Sequence, residues 1–428
     1  MAGMRSTLRS GPLRRIIAAY GVNRLGTWFG TVALSLATFA HTHNAIAVAA
    51  VLVAGQVVPA FLVPSVIARV EASHRRRELS FLYFIEAAAT TAMGVLLWHF
   101  WLPGLLLLVA LDGTAALTAS ALVRTETARV AKRELAAGDD PHAAEQQANA
   151  ALNVAFSGTF VLGPALAGVI VAGAGAPAAL FLDAGSFLIC GLLLLDLHPF
   201  VEEAGGDSVG ARLRAAWKYV RSEPSLRALL LAQAVGLVFF ESAVPIEVAY
   251  AEQTLHAGDR GYGLLVACWG VGVVAGSIVF ARAGSRRLGL MLTAGTLAVG
   301  CAYLGFAAAP SLAVAAAASA LGGIGNGIQY APVISSLQRL TPRSLQGRVM
   351  GFLESVSALC PALGLTLGGV LTATSSPRTA FVVVGAGAAL TTLLFARVRP
   401  DRKSAADIDD GNGGQASTEA DMALPKPA

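Results

Sequence analysis

The sequence predicts an all-α integral membrane protein: twelve transmembrane helices in two parallel six-helix repeats. Three observations carry this expectation. The chain is too apolar for solution, with 55% hydrophobic and only 13% charged residues among 428, where a soluble domain carries about 25% charged. Twelve apolar runs each approach the roughly 20 residues a spanning helix needs. Finally, basic residues alternate between the connections. Of 31 Lys and Arg, all but Arg24, Arg260 and Arg378 fall in the N-terminal tail, the C-terminal tail or the connections after even-numbered runs. The positive-inside rule then puts both termini in the cytoplasm, with the chain multi-pass in the inner (plasma) membrane.

The runs follow in order. The first, 16–40, lies behind Arg5, Arg9, Arg14 and Arg15. It is too long for a secretory h-region of about 7–15 residues, so it reads as an uncleaved helix. Within it Asn23, Thr27, Thr31 and Ser35 recur every fourth position and form one polar face, with Trp28 beside it. Such a stripe belongs against a lined cavity or a neighbouring helix. Runs 45–68, 79–99 and 104–123 come next, with Trp98 and Trp101 where an outer aromatic belt is expected. Runs 151–172 and 178–196 complete the first half. Helices are required throughout, because each segment must satisfy its own backbone in hydrocarbon.

A long connection, 197–227, divides the chain. Its stretch Arg212–Arg221 is read either as a basic amphipathic helix on the inner membrane surface or as a solvated loop. Runs 228–250, 262–281, 288–308, 311–336, 350–373 and 379–396 form the second half. The expected domains are 1–196, a six-helix bundle; 197–227, a cytoplasmic linker; 228–400, a second bundle; and 401–428, a disordered polar tail. The halves echo each other. Arg69 with Arg75, Arg76 and Arg77 follows the second run, and Arg282 with Arg286 and Arg287 follows the eighth. Gly163-Pro164-Ala165-Leu166-Ala167-Gly168 in the fifth matches Cys360-Pro361-Ala362-Leu363-Gly364 in the eleventh. Repeats in the same orientation describe one transporter architecture, with substrate held near the midplane between them.

On these residues the chain resembles the major facilitator superfamily, and more narrowly its bacterial drug and siderophore exporter branch, over roughly residues 10–400. The family pattern after the second helix is Gly-x-x-x-Asp-Arg-x-Gly-Arg-Arg. Here Ala68-Arg69 replaces Asp-Arg, and Arg75-Arg76-Arg77 supplies the basic end, with Glu71 as a substitute acid. The Gly163–Gly168 segment is similar to the family's antiporter signature, although Thr159 and Ala167 replace two of its glycines. The connection Gln338 to Val349, with Pro342, Gly347 and Arg348, looks like that branch's Gln-…-Pro-…-Arg-Gly-Arg-Val sequence. Asn149-Ala150-Ala151-Leu152-Asn153 resembles its Asn-Ala-Leu opening of the fifth helix. The resemblance implies alternating access between the two halves. Arg69, Arg75–Arg77, Gly163, Pro164, Gly168, Pro361 and Arg348 would be its conformational motifs, and export its direction.

Charges inside a bilayer are costly and usually face a cavity or a partner. Within the runs they include Arg24, Glu86, Asp112, Asp183, Glu241 and Glu247. Asp112, near the middle of the fourth run, is the first candidate for proton coupling, with Arg24, Glu86 and Glu241. Arg24 either pairs with Asp112 or Glu86 or snorkels to the surface. Phe240 beside Glu241 suits a lipophilic cation. Glu247 reads as a solvated rim. Asn326, Gln329 and Tyr330 share one face of the tenth helix and complete the expected substrate cavity with Asn23, Thr27, Trp28 and Phe240.

The expected function is proton-coupled efflux of small apolar or cationic molecules. The alternatives are an uncoupled facilitator or importer of the same fold, and a non-transporting receptor or scaffold. No Walker A sequence, metal-ligand spacing or CxxC pair occurs, so no cofactor, metal or enzymatic role is expected. The basic residues form no patch for nucleic acid despite a net charge of +5. The expected partners are the bilayer, a small-molecule substrate and protons, with the chain a monomer.

Overall fold

The computed structural model describes residues 10–73, 77–135, 141–195, 217–283, 288–342 and 345–398. The expected tail, most of the linker, Arg75 and Arg76 lie outside these, as do the side chains of Arg69, Pro164, Tyr330 and Arg348.

Twelve long helices run through the described residues. They are α1 (Gly11–Thr42), α2 (Ala45–Ser73), α3 (Glu78–Leu96), α4 (Leu102–Leu135), α5 (Pro141–Ala174) and α6 (Ala176–Leu193), then α7 (Pro224–Ala249), α8 (Gly258–Ala283), α9 (Leu288–Ala308), α10 (Leu312–Leu340), α11 (Gln346–Thr374) and α12 (Pro377–Phe395). Nine of the described helices are long and apolar enough to cross a membrane; α1, α5 and α11 are not among them.

Local chemistry sets the turns. Ser10 caps α1, its hydroxyl accepting from the Leu13 N–H, and His43 ends the helix in the left-handed region at φ 49°. Gly175, at φ 85°, breaks α5 from α6. Ser376 caps α12 through the Thr379 N–H, with Pro377 just inside. Several helices run beyond their apolar stretches. Past residue 123, α4 continues through a polar extension in which Arg129 binds Glu126 through Nε at 2.9 Å. Apolar counting stops where the bilayer would end, whereas backbone bonding does not. Pro245 lies inside α7, which widens into a five-residue π turn at Tyr250–Thr254.

The packing repeats with a six-helix offset. In the first half α1 packs on α5 and α6, α2 on α4, and α3 on α4 and α6. In the second half α7 packs on α11 and α12, α8 on α10, and α9 on α10 and α12. Between halves α5 meets α8 and α2 meets α11. Large apolar side chains such as Phe61, Leu107 and Val169 stay exposed, each above 70%. That is an outer surface suited to lipid rather than water.

The ends of the bundle differ. At the end carrying the α1–α2 turn one core joins both halves, with Val32, Leu36, Phe39 and Val48 sharing it with Val248, Ala251 and Tyr262. At the end nearer the termini each half has its own core, one around Ile16, Tyr83 and Phe187, the other around Leu229, Leu337 and Phe395. Among the described residues the halves therefore share a core at one end only. Arg378, an exception to the charge alternation, has a structural role: its guanidinium donates to the Ala307 and Ala309 carbonyls at 3.0 and 2.8 Å, capping the end of α9.

Candidate functional site

A cavity of about 300 Å³ lies between the halves. From the first half, α1 contributes Arg24, Thr27, Trp28 and Thr31, and α2 contributes Gln56. From the second half, α7 contributes Phe240, Glu241 and Glu247, α8 contributes Tyr262 and Trp269, and α9 contributes Tyr303.

The stripe on α1 reaches this cavity through Thr27 and Thr31. Its hydroxyls are already satisfied, since Thr27, Thr31 and Ser35 donate to the carbonyls of Asn23, Thr27 and Thr31 at 2.9, 2.8 and 2.8 Å. They make the wall polar without breaking the helix. Trp28 is seated by the fifth-helix motif, for a Cβ on Gly163 would overlap its side chain. Farther along, Gly168 meets the Gly263 backbone of the other half, where a Cβ on either residue would overlap the other's Cα. On the pseudo-symmetric helix, Gly364 and Gly368 let α11 close on Glu241, Val238 and Ser242 of α7, and Gly369 meets Ala45 and Ala49 of α2. The two glycine-proline segments thus lie where helices cross within a half and where the halves touch. Pro361 stands one residue after Cys360 at the start of that stretch.

The opposite wall is aromatic. Trp269 stacks on Tyr303 with centroids 5.8 Å apart and Phe240 lies 5.8 Å from Trp269. Tyr303 in turn stacks on Phe381. The buried Trp269 Nε1 has no hydrogen-bond partner among the described residues. Two carboxylates, Glu241 and Glu247, stand in this wall.

Several expectations change. Glu247 is not a solvated rim: the seal at that end turns the outer part of α7 toward the cavity, beside Tyr262 and Tyr303. Asn23, Asn326 and Gln329 are absent from the described cavity lining. Gln329 instead packs at the α9–α10 crossing against Gly295, whose hydrogen-for-side-chain economy draws the helices together there. Asp112 and Glu86 also lie away from the described lining. Asp112 accepts from the Thr90 hydroxyl of α3 at 3.2 Å. Glu86 is fully buried. Arg77 is exposed. Missed from the sequence were Gln56, Tyr262, Trp269 and Tyr303. Only their aromatic or polar character within apolar runs marked them, and that does not reveal facing.

Residues 229–421 match the model of the Major Facilitator Superfamily. Among curated proteins, an uncharacterized MFS-type transporter of Bacillus subtilis, YfiS, is 23% identical over 385 residues, covering 87% of this chain and 89% of that protein. Another, y4rN of Sinorhizobium fredii, is 28% identical over 276 residues, covering 61% and 65%. Among solved structures, a bacterial homologue of the iron transporter ferroportin in an inward-facing state superposes with a TM-score of 0.68 at 17% identity, covering 91% of this chain and 99% of that one. The nucleoside transporter NupG gives 0.65 at 10% identity, covering 91% and 99%. The chain has the major facilitator fold.

Proposed function

We propose that this chain is a membrane transporter that exports small apolar or cationic organic molecules by alternating access, driven by protons. The central cavity carries the reading: two carboxylates, Glu241 and Glu247, stand among Phe240, Tyr262, Trp269 and Tyr303. Aromatic faces and a carboxylate in a water-poor site favour a bulky organic cation through stacking, cation–π attraction and charge. The family-model match and the two curated relatives, both named as transporters of this superfamily, support transport as such. The single-ended seal and the glycine contacts between the halves supply the moving parts that alternating access requires.

Export and proton coupling rest on the likeness of the Gly163–Gly168 segment to the antiporter signature, and on acids buried in the bundle. A ligand and a proton drive one another only if each binds the two states of the protein differently. The test uses proteoliposomes, tetraphenylphosphonium as the probe and an imposed pH gradient of either sign. Gradient-driven movement of the probe is expected, reduced at least tenfold by Glu241→Gln and uncoupled from the gradient by Asp112→Asn. Movement indifferent to the gradient would leave a facilitator. Movement running with the proton flux would leave an importer, a direction the same cavity also permits.

A further inference from the structure

The first half holds a second group of buried charges that the central cavity does not use. Glu86 of α3 is 0% exposed, and both its carboxylate oxygens lack a hydrogen-bond partner among the described residues. Asp183 of α6 is 4% exposed and sits in a notch of α1: a Cβ on Gly26 would overlap its Oδ1, and one on Gly30 its Oδ2. Its one described donor is the Ser186 hydroxyl at 3.4 Å. Asp112 of α4 has the Thr90 hydroxyl.

Three helices therefore turn acids toward one region, and a fourth, α1, brings a base. The groups facing Glu86 are Arg24 of α1, Asp112 of α4, and Asp183 and Cys190 of α6, with Tyr83 on α3 itself and Tyr20 of α1 behind it. The Arg24 guanidinium acts on Glu86, with Asp112 and Asp183 on the other sides of that carboxylate. That guanidinium lies 5.2 Å over the Tyr20 ring, and Arg24 is also among the residues that line the central cavity. Carboxylates that share a dry interior are costly to charge together, and such a group takes up cations as a unit. A metal ion is disfavoured, because no three His, Cys, Asp or Glu side chains among the described residues converge as ligands would. A proton needs no such convergence.

We propose that Glu86, Asp112 and Asp183 form the proton-binding site of this chain, distinct from the central cavity, with Arg24 as the link that lets its charge state reach the cavity. The inference rests on the proton-coupled reading above and assigns the proton to the first half and the substrate to the cavity between the halves. Loss of a proton leaves one more carboxylate drawing on Arg24, which withdraws the guanidinium from the cavity wall. Uptake of a proton releases it. An organic cation and a proton then compete through Arg24 rather than for one carboxylate.

The test requires no substrate. Purified full-length protein in lipid is titrated across the physiological pH range while the infrared C=O band of protonated carboxyl groups is followed. The wild type and Glu241→Gln are expected to share one titrating band, which Glu86→Gln or Asp183→Asn abolishes or displaces. Gly26→Ala, which removes no carboxyl but crowds Asp183, should shift the midpoint of the same band. It guards against a Glu86 variant that fails to fold. A band lost in Glu241→Gln yet unchanged in Glu86→Gln, Asp112→Asn and Asp183→Asn would place the proton in the cavity and overturn the inference, leaving coupled transport intact. A band that responds to Na⁺ at constant pH would assign a metal cation and overturn it too. A band behaving as expected in a protein that fails to move tetraphenylphosphonium would sink the substrate reading and leave the proton site standing.

Discussion

The seal between the halves rests on backbone contact between Gly168 and Gly263, so Gly168→Val should bias the protein toward the state open at that end. In the sealed arrangement a Cβ at 168 overlaps the Gly263 Cα. The obstacle is backbone, not the tip of a flexible side chain, so the helices must part. Overpacking of this kind costs about 1–3 kcal/mol. Because α5 and α8 belong to different halves, the cost falls on the sealed state and vanishes when the halves separate. A bias of that size shifts the equilibrium between states by about 5–150-fold. The reporter is Leu36→Cys, a buried position lining the small pocket at the sealed end with Phe39, Val248 and Glu252. Labelling by a membrane-impermeant maleimide should accelerate by that factor in the Gly168→Val background. Gly173→Val is the control, since a Cβ there meets nothing within 4 Å on the same helix. Equal labelling in the two backgrounds would refute the claim that this glycine contact holds the seal.

Three further outcomes follow from the geometry. Trp269→Ala removes the ring between Phe240 and Tyr303, and should weaken tetraphenylphosphonium binding by about 0.5–2 kcal/mol, measured by equilibrium dialysis; unchanged affinity would place the cation elsewhere. Arg378→Ala strips two charge-assisted bonds from the α9 carbonyls, and a loss of about 1.5–3 kcal/mol should appear as a lower melting temperature with transport per folded molecule preserved. Tyr250→Phe leaves the Phe306 carbonyl without the donor it now has at 2.7 Å, so a loss of about 0.5–1.5 kcal/mol is expected in the same melting assay, and no loss would mean that water replaces the hydroxyl.

The sequence alone determined the all-helical class and the order of the apolar runs, because a bilayer leaves little choice: each run must close its own hydrogen bonds. It determined the six-plus-six division through the paired glycine-proline segments, and it exposed the stripe Asn23, Thr27, Thr31, Ser35 by simple periodicity. It also found the ionizable residues, since each is conspicuous in an apolar run. What it left undecided was where each one faces. Glu241 and Glu247 lie on one helix near one another in the chain, yet only the sealed end shows that both reach the cavity. Asn326 and Gln329 share a face as the period requires, but Gln329 packs against α9, because Gly295 and Gly325 admit a close crossing there. Gly26 and Gly30 are ordinary small residues until α6 brings Asp183 against them. Membrane insertion is a property of each segment by itself, and sequence periodicity records it. The facing of a polar group is a property of two helices at once, and only tertiary packing fixes it.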